Sequence, residues 1–350
     1  MPLRLCCVAL LASLATVLLL TAATGRGDEP PVPSRILCVS VTTGFRHGSI
    51  GVAEGVLESI GREGGRYHLE YLRMPPGQRE DPEWQEQLAA QFARAFAPKT
   101  LADFDGVMFV STTGELPLPD IAGFLDWIRS GKAFIGFHAA SDTLKSSDAY
   151  VEMIGGHFAG HPWNARGEHA FVNHEPGHQV AAMFPPRFRW QDEIYQYDPR
   201  YKPENVRVLI SLDMAASTPK HPWHVPVSWV RDYGKGRVFY TNFGHNESTW
   251  SDPTFQEHAA EGIAWALGRR EGPAEPNPDV QAAEYLRSVL AAAAEQFGVD
   301  DDSLRARADA KIAADPTWAV GLRPMLLPLR GMNPADRVAV YKTLVGEIEQ

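Results

Sequence analysis

The chain predicts an α/β fold: a mostly parallel, doubly wound sheet with an antiparallel strand section and a C-terminal helical extension. Three observations carry this. Short apolar runs alternate with helix-period segments through the first 140 residues or so. From Glu168 to Thr241 the strand-like runs follow one another with no long helix between them. Beyond a stretch rich in Pro and Gly, only helical patterns remain.

Ile36 to Val41 is a short apolar run ending at Thr42-Thr43-Gly44, the pattern of a buried strand. Val52 to Ile60 has helical spacing and is closed by glycines at 61, 64 and 65. Tyr67 to Leu72 is a second strand and Trp84 to Phe96 a second amphipathic helix. Gly106 to Val110, Ile121 to Ile128 and Ala133 to Phe137 supply strand, helix and strand, and this βαβ rhythm implies parallel pairing with helices on both faces. The later strands are Ala170 to Val172, Arg189 to Tyr197, Val206 to Leu212, Val227 to Asp232 and Arg237 to Thr241. Tyr233-Gly234-Lys235-Gly236 joins the last two as an antiparallel hairpin. Pro253 to Leu267 returns to helix, and Ala282 to Phe297, Leu304 to Ala314 and Pro334 to Ile348 are the helices of the tail.

Arg4 followed by the apolar run Val8 to Leu20 and the small residues Thr21 to Ala23 is the pattern of a secretory signal, too short to span a bilayer comfortably. The expected organisation is a signal peptide at 1–27, a linker at 28–34, the main domain at 35–268, a second linker at 269–280 and the helical extension at 281–350. A fragment ending near Arg270 should therefore fold alone. The protein is expected to be exported, periplasmic or extracellular, with no membrane association once the signal is removed. Cys6 and Cys7 leave with the signal, so Cys38 has no intrachain partner and reads as a small buried hydrophobe. A formal charge of −10 offers no basic stripe for nucleic acid and fits a small neutral or cationic ligand.

In open α/β sheets, ligands sit beyond the carboxyl ends of the strands. Three predicted strands run into a histidine there: Gly44-Phe45-Arg46-His47, Gly136-Phe137-His138-Ala139-Ala140, and Asn242-Phe243-Gly244-His245-Asn246-Glu247. The loop Gly155-Gly156-His157-Phe158-Ala159-Gly160-His161-Pro162 holds two more at i, i+4, but its glycines and proline argue for tight turns rather than a helical metal pair. Of the acidic pair Asp192-Glu193, an alternating strand turns only one toward a site, and Glu193 is the expected one. His47, His138, Glu193 and His245 are the candidate catalytic residues. Arg46, His157, His161, Tyr195, Trp229 and Asn242 are candidate substrate contacts, and Trp163 and Trp250 are further aromatics that suit a sugar ring.

These motifs, taken in order with Asp192-Glu193-Ile194-Tyr195 and Gly234-Lys235-Gly236-Arg237-Val238-Phe239-Tyr240, resemble the ThuA-like (trehalose utilisation) family over about Arg35 to Gly268. That resemblance implies a class I glutamine amidotransferase-like (flavodoxin-like) sheet and a role around trehalose or keto-disaccharides. At the elbow where an amidotransferase carries its cysteine, this chain has His138, and an imidazole cannot replace a thiolate attacking an amide. Glutaminase chemistry is excluded on those residues. Three functions fit: histidine–carboxylate acid–base chemistry on a carbohydrate, sugar or partner binding without turnover, and a metal-dependent hydrolase, with a divalent ion such as zinc among the imidazoles.

Overall fold

The computed structural model describes residues 32–63, 65–298 and 301–350. The expected signal peptide, and the first linker up to residue 31, lie outside the described residues. Among the described residues no helix is long and apolar enough to cross a membrane.

The strands are β1 Ser34–Val39, β2 Tyr67–Leu72, β3 Gly106–Val110, β4 Ala133–Phe137, β5 Glu168–Asn173, β6 Arg187–Gln191, β7 Arg207–Leu212, β8 Pro226–Tyr233 and β9 Gly236–Thr241. They form one nine-stranded sheet in the order β2-β1-β3-β4-β9-β8-β7-β5-β6. The pairs from β2 through β9 are parallel, and those from β9 through β6 are antiparallel. The helices are α1 Ile50–Arg62, α2 Pro82–Ala95, α3 Pro98–Leu101, α4 Ile121–Arg129, α5 Asp148–Ile154, α6 Glu247–Ser251 and α7 Pro253–Ala266. The tail adds α8 Pro278–Phe297, α9 Asp301–Ala314, α10 Trp318–Leu326 and α11 Pro334–Glu349.

Strand periodicity sorts the core into two layers. Ile36 and Cys38 of β1 and Met108 and Val110 of β3 face the layer with Ala53 and Leu57 of α1 and Phe255 and Ile263 of α7. The alternate residues Leu37, Val39, Val107 and Phe109 face Trp84, Leu88 and Phe92 of α2 and Phe124 and Ile128 of α4. Cys38 is fully buried, and burial pushes its thiol pKa up.

The strand expected from Arg189 to Tyr197 stops at Gln191. Beyond it the chain leaves the ladder, touching it only at the single bridges Trp163–Ile194 and Phe158–Tyr197. Helices α5 and α10 were not expected from the pattern, because the first is a short segment running into Gly155-Gly156 and the second contains Pro324. Gly155 ends α5 in the left-handed region at φ 102°, and a Cβ there would stand 2.7 Å from the Trp229 indole nitrogen.

The segment expected as the second linker is docked along the sheet. Asn277 donates from Nδ2 to the Val208 carbonyl and accepts the Val208 N–H at Oδ1, both at 2.9 Å, as a neighbouring strand would. Gln281 donates to the carbonyls of Pro203 and Val206 at 3.0 Å. The tail helices then close their own core around Leu286, Val289, Leu322, Leu326 and Leu344.

Candidate metal centre

Because β1, β4 and β9 are parallel, their carboxyl ends lie on one edge, and the residues that follow them meet there. His47 sits in the loop between β1 and α1, His138 opens a 3₁₀ turn directly after β4, and His245 lies between β9 and α6. Their ring centroids are 4.7 Å apart for His47–His138 and 5.3 Å for both other pairs. Glu193 completes the group, and one ligand atom from each of the four residues lies within 4.8 Å of the others. His138 takes φ 48°, a left-handed conformation uncommon outside glycine and found where a sharp strand-to-helix turn must present one side chain.

Two of the three imidazoles have their tautomer set from behind. The Nδ1–H of His138 donates to the Asn242 carbonyl at 2.7 Å, which leaves Nε2 as a bare lone pair. Nδ1 of His245 lies 3.2 Å from Asn246 Oδ1. The Asn246 amide can turn only that way, because its Nδ2 donates to the carbonyls of Ala165 and Gln191. Both Nε2 atoms stand 3.8 Å from the same oxygen, Oε2 of Glu193. A carbonyl or amide oxygen behind each of these two imidazoles is the second shell that metal-binding histidines ordinarily have. His47 is buried and its Nδ1 has no hydrogen-bond partner.

The electrostatics point the same way. Burial, reinforced by the neighbouring imidazoles, holds His138 well below the ordinary histidine pKa and lowers His47 to about 4. Near neutral pH His47 and His138 therefore present imidazole lone pairs to the centre, beside His245 and the Glu193 carboxyl group. That is a donor set for a divalent cation of the zinc type. Zinc bonds of about 2.0–2.1 Å imply donor separations of about 3.3 Å in a tetrahedron, shorter than the 3.8 Å from either Nε2 to Glu193 Oε2, so the side chains would have to draw in on an ion.

Asp192 and Glu193 were expected to point to opposite faces of a strand; because the chain has left the ladder, both serve this centre. Glu193 reaches the imidazoles, including His161 Nδ1 at 3.3 Å from Oε1. Asp192 is fully buried and pins the His245 loop. Its Oδ1 accepts the N–H groups of Glu193 and Asn246, and its Oδ2 accepts those of Gly244 and the Thr249 hydroxyl, at 2.7–3.0 Å. Burial still raises its pKa to about 6.

Of the expected substrate contacts, Tyr195 and His161 are at the centre. The Tyr195 hydroxyl lies 3.0 Å from His138 Nε2 and 3.5 Å from His47 Nε2, and its ring meets Phe158. The His161 side chain is 53% exposed on the rim. Arg46 holds its own loop by donating to the Ser40 carbonyl. Three expectations are corrected by burial. Trp229 is core, donating to the Ile154 carbonyl and packed on Tyr197 and Tyr240. Asn242 is fully buried and turned onto His138 and Tyr195, so it positions rather than touches a ligand. His157 is buried beside Asp198, 3.4 Å from Oδ2, away from the four-residue centre. Trp163 and Trp250 are likewise fully buried. The roles of Asp192 and Asn246 were not anticipated, and nothing local in the sequence separates them from ordinary turn residues.

No curated protein matches the chain by sequence. Among solved structures, a ThuA-like protein of Parabacteroides merdae ATCC 43184 is similar with 17% identity and a TM-score of 0.53, over 72% of this chain and 99% of that one. One from Bacteroides uniformis ATCC 8492 is similar with 18% identity and a TM-score of 0.53, over 72% and 98%. The model of the family described as ThuA, trehalose utilisation, matches residues 35–266, and the chain belongs to that family.

Proposed function

We propose that this chain is an exported, metal-dependent enzyme of carbohydrate utilisation, acting on a trehalose-like or keto-disaccharide substrate. His47, His138, His245 and Glu193 would hold a divalent ion such as zinc. The observation that carries the reading is the convergence of four donor atoms within 4.8 Å, with two imidazoles already turned so that Nε2 faces the carboxylate. General-acid chemistry by His138 itself is disfavoured, because a fully buried imidazole with a depressed pKa carries no proton to give near neutrality. A bound cation supplies Lewis acidity toward a carbonyl or hydroxyl oxygen of a sugar.

The chain's own residues do the rest. Tyr195 stays protonated because burial and then Glu193 raise its pKa well above the usual phenol range, so its hydroxyl is a donor at the centre. Phe45, 68% exposed and edge-on to His47, offers an apolar face at the rim, with Phe158 stacked on His161 as another.

The test is metal binding first and turnover second. Chelator-treated full-length protein should take up one Zn²⁺ or Mn²⁺ per chain, and His138→Ala and His245→Ala should abolish that uptake. Turnover of keto-disaccharides should require the loaded protein. Failure of the wild type to bind either ion, or unchanged binding in both variants, would refute the metal centre.

A further inference from the structure

A second cavity, of about 710 Å³, lies where the segment after Asp198 meets α8 and the chain from Arg323 to Gly331. It shares no residue with the imidazole centre, and half of its lining residues come from the tail that lies beyond the family match. Its volume is that of a small-molecule site rather than a packing defect.

Three aromatic rings, Tyr201, Trp223 and Tyr285, line it. Two polar groups on the same wall lack what they would normally have. Arg330 lies over the Trp223 ring at 5.4 Å, and among the described residues no carboxylate forms an ion pair with it. The acidic side chains of the wall pair with other arginines: Glu204 with Arg323, and Asp198 with Arg200. Burial lowers the pKa of Arg330, with Tyr285 and Asp198 acting in the opposite direction. The indole N–H of Trp223 is buried with no acceptor, although a buried indole donor normally finds one. A guanidinium without a partner asks for a carboxylate, an indole N–H asks for an acceptor, and flat aromatic faces suit the C–H face of a sugar ring.

We propose that this cavity binds an acidic sugar, its carboxylate on Arg330, a ring or hydroxyl oxygen on the Trp223 N–H, and its apolar face on the aromatic rings. The site is independent of the metal centre. Asp198 lines the cavity and lies beside His157, which belongs to the loop that carries Phe158 and His161.

The test uses the full-length, metal-free protein with glucuronate as probe and glucose and benzoate as comparisons, followed by tryptophan fluorescence and calorimetry. Glucuronate should bind saturably, glucose at least about tenfold more weakly, and Arg330→Ala should weaken glucuronate by about tenfold or more. Arg330→Gln, which keeps a polar amide but removes the charge, should behave the same way, and Trp223→Phe should weaken binding while keeping a ring in place. His138→Ala should leave it unchanged. No glucuronate binding, binding indifferent to both Arg330 variants, benzoate binding more tightly than glucuronate, or loss of binding in His138→Ala would each overturn the proposal.

Discussion

The Tyr195 hydroxyl stands 3.0 Å from Nε2 of His138, on the one ring nitrogen whose lone pair is left free by the bond from Nδ1–H to Asn242. The phenol therefore donates to His138 whenever nothing else occupies that lone pair. A cation on His138 would release the hydroxyl, which stays within the centre because the Tyr195 ring is buried against Phe158 and its backbone N–H is held by Asn242 Oδ1.

Tyr195→Phe should accordingly separate binding from chemistry. The ring contacts persist, so metal uptake is expected to stay within a few-fold of wild type. Turnover should fall by about 10²–10⁴-fold if the hydroxyl transfers a proton. Parallel metal titration and rate measurement check this; equal loss of both would make Tyr195 part of the scaffold.

Asp192→Asn tests the loop that presents His245. The carboxylate accepts four donors, two on each oxygen, and an amide has only one accepting end. Either orientation sets an NH₂ group against a backbone N–H. We expect a loss of about 1–3 kcal/mol in urea unfolding and of about 10–100-fold in metal affinity. Unchanged affinity would show that His245 is held without this carboxylate.

Much of this was legible beforehand, and for a physical reason. A strand buried on both faces is a short apolar run, so β1, β3, β4 and β9 announce themselves, and parallel pairing brings their ends to one edge. That is why His47, His138 and His245 could be placed together from the sequence. What the sequence could not show is how the chain after Gln191 leaves the ladder, because Ile194 through Tyr197 keeps a strand-like composition while its backbone partners are side chains and single bridges. The burial of Trp229 was hidden for the opposite reason: a tryptophan suits a core and a sugar face equally well, and only Gly155 lying against its indole decides between them. The linker composition of residues 269–280 concealed the Asn277 side chain, which takes the place of a strand.

Acid should destabilise the protein through His258. It is fully buried, with Nδ1–H donating to the Val180 carbonyl at 2.6 Å and Nε2 facing the hydroxyls of Thr241 and Ser228. Burial lowers its pKa to about 4, against about 6.5 in the unfolded chain. Between those values the unfolded state binds more protons, so stability is full above pH ~6.5 and falls as the pH drops toward 4. The contribution is on the order of 3 kcal/mol, from about 1.36 kcal/mol per pH unit. Urea unfolding of the wild type from pH 7 to 4 should be steeper than that of His258→Gln; parallel curves would exclude the assignment.

The tail should prove to be part of the sheet rather than a tether. Asn277 fills both backbone positions of the buried residue Val208, on the side of β7 that β5 leaves uncovered beyond the Asn173–Ile210 pair. Asn277→Ala leaves an N–H and a carbonyl unpaired, at about 1–3 kcal/mol for each group that water cannot reach. The expected loss is therefore about 2–6 kcal/mol in urea unfolding. Asn277→Asp separates this from simple side-chain loss: it keeps the acceptor for the Val208 N–H but sets a second oxygen against the Val208 carbonyl, and should be nearly as destabilising. A chain stopped at Arg270 loses the same pair together with the bonds from Gln281 to Pro203 and Val206. It should unfold at lower urea than the full chain by at least as much as Asn277→Ala. If Asn277→Ala costs under about 0.5 kcal/mol, in the range of an ordinary surface substitution, residues 269–280 act as the linker that their composition first implied, and the tail helices stand on their own core.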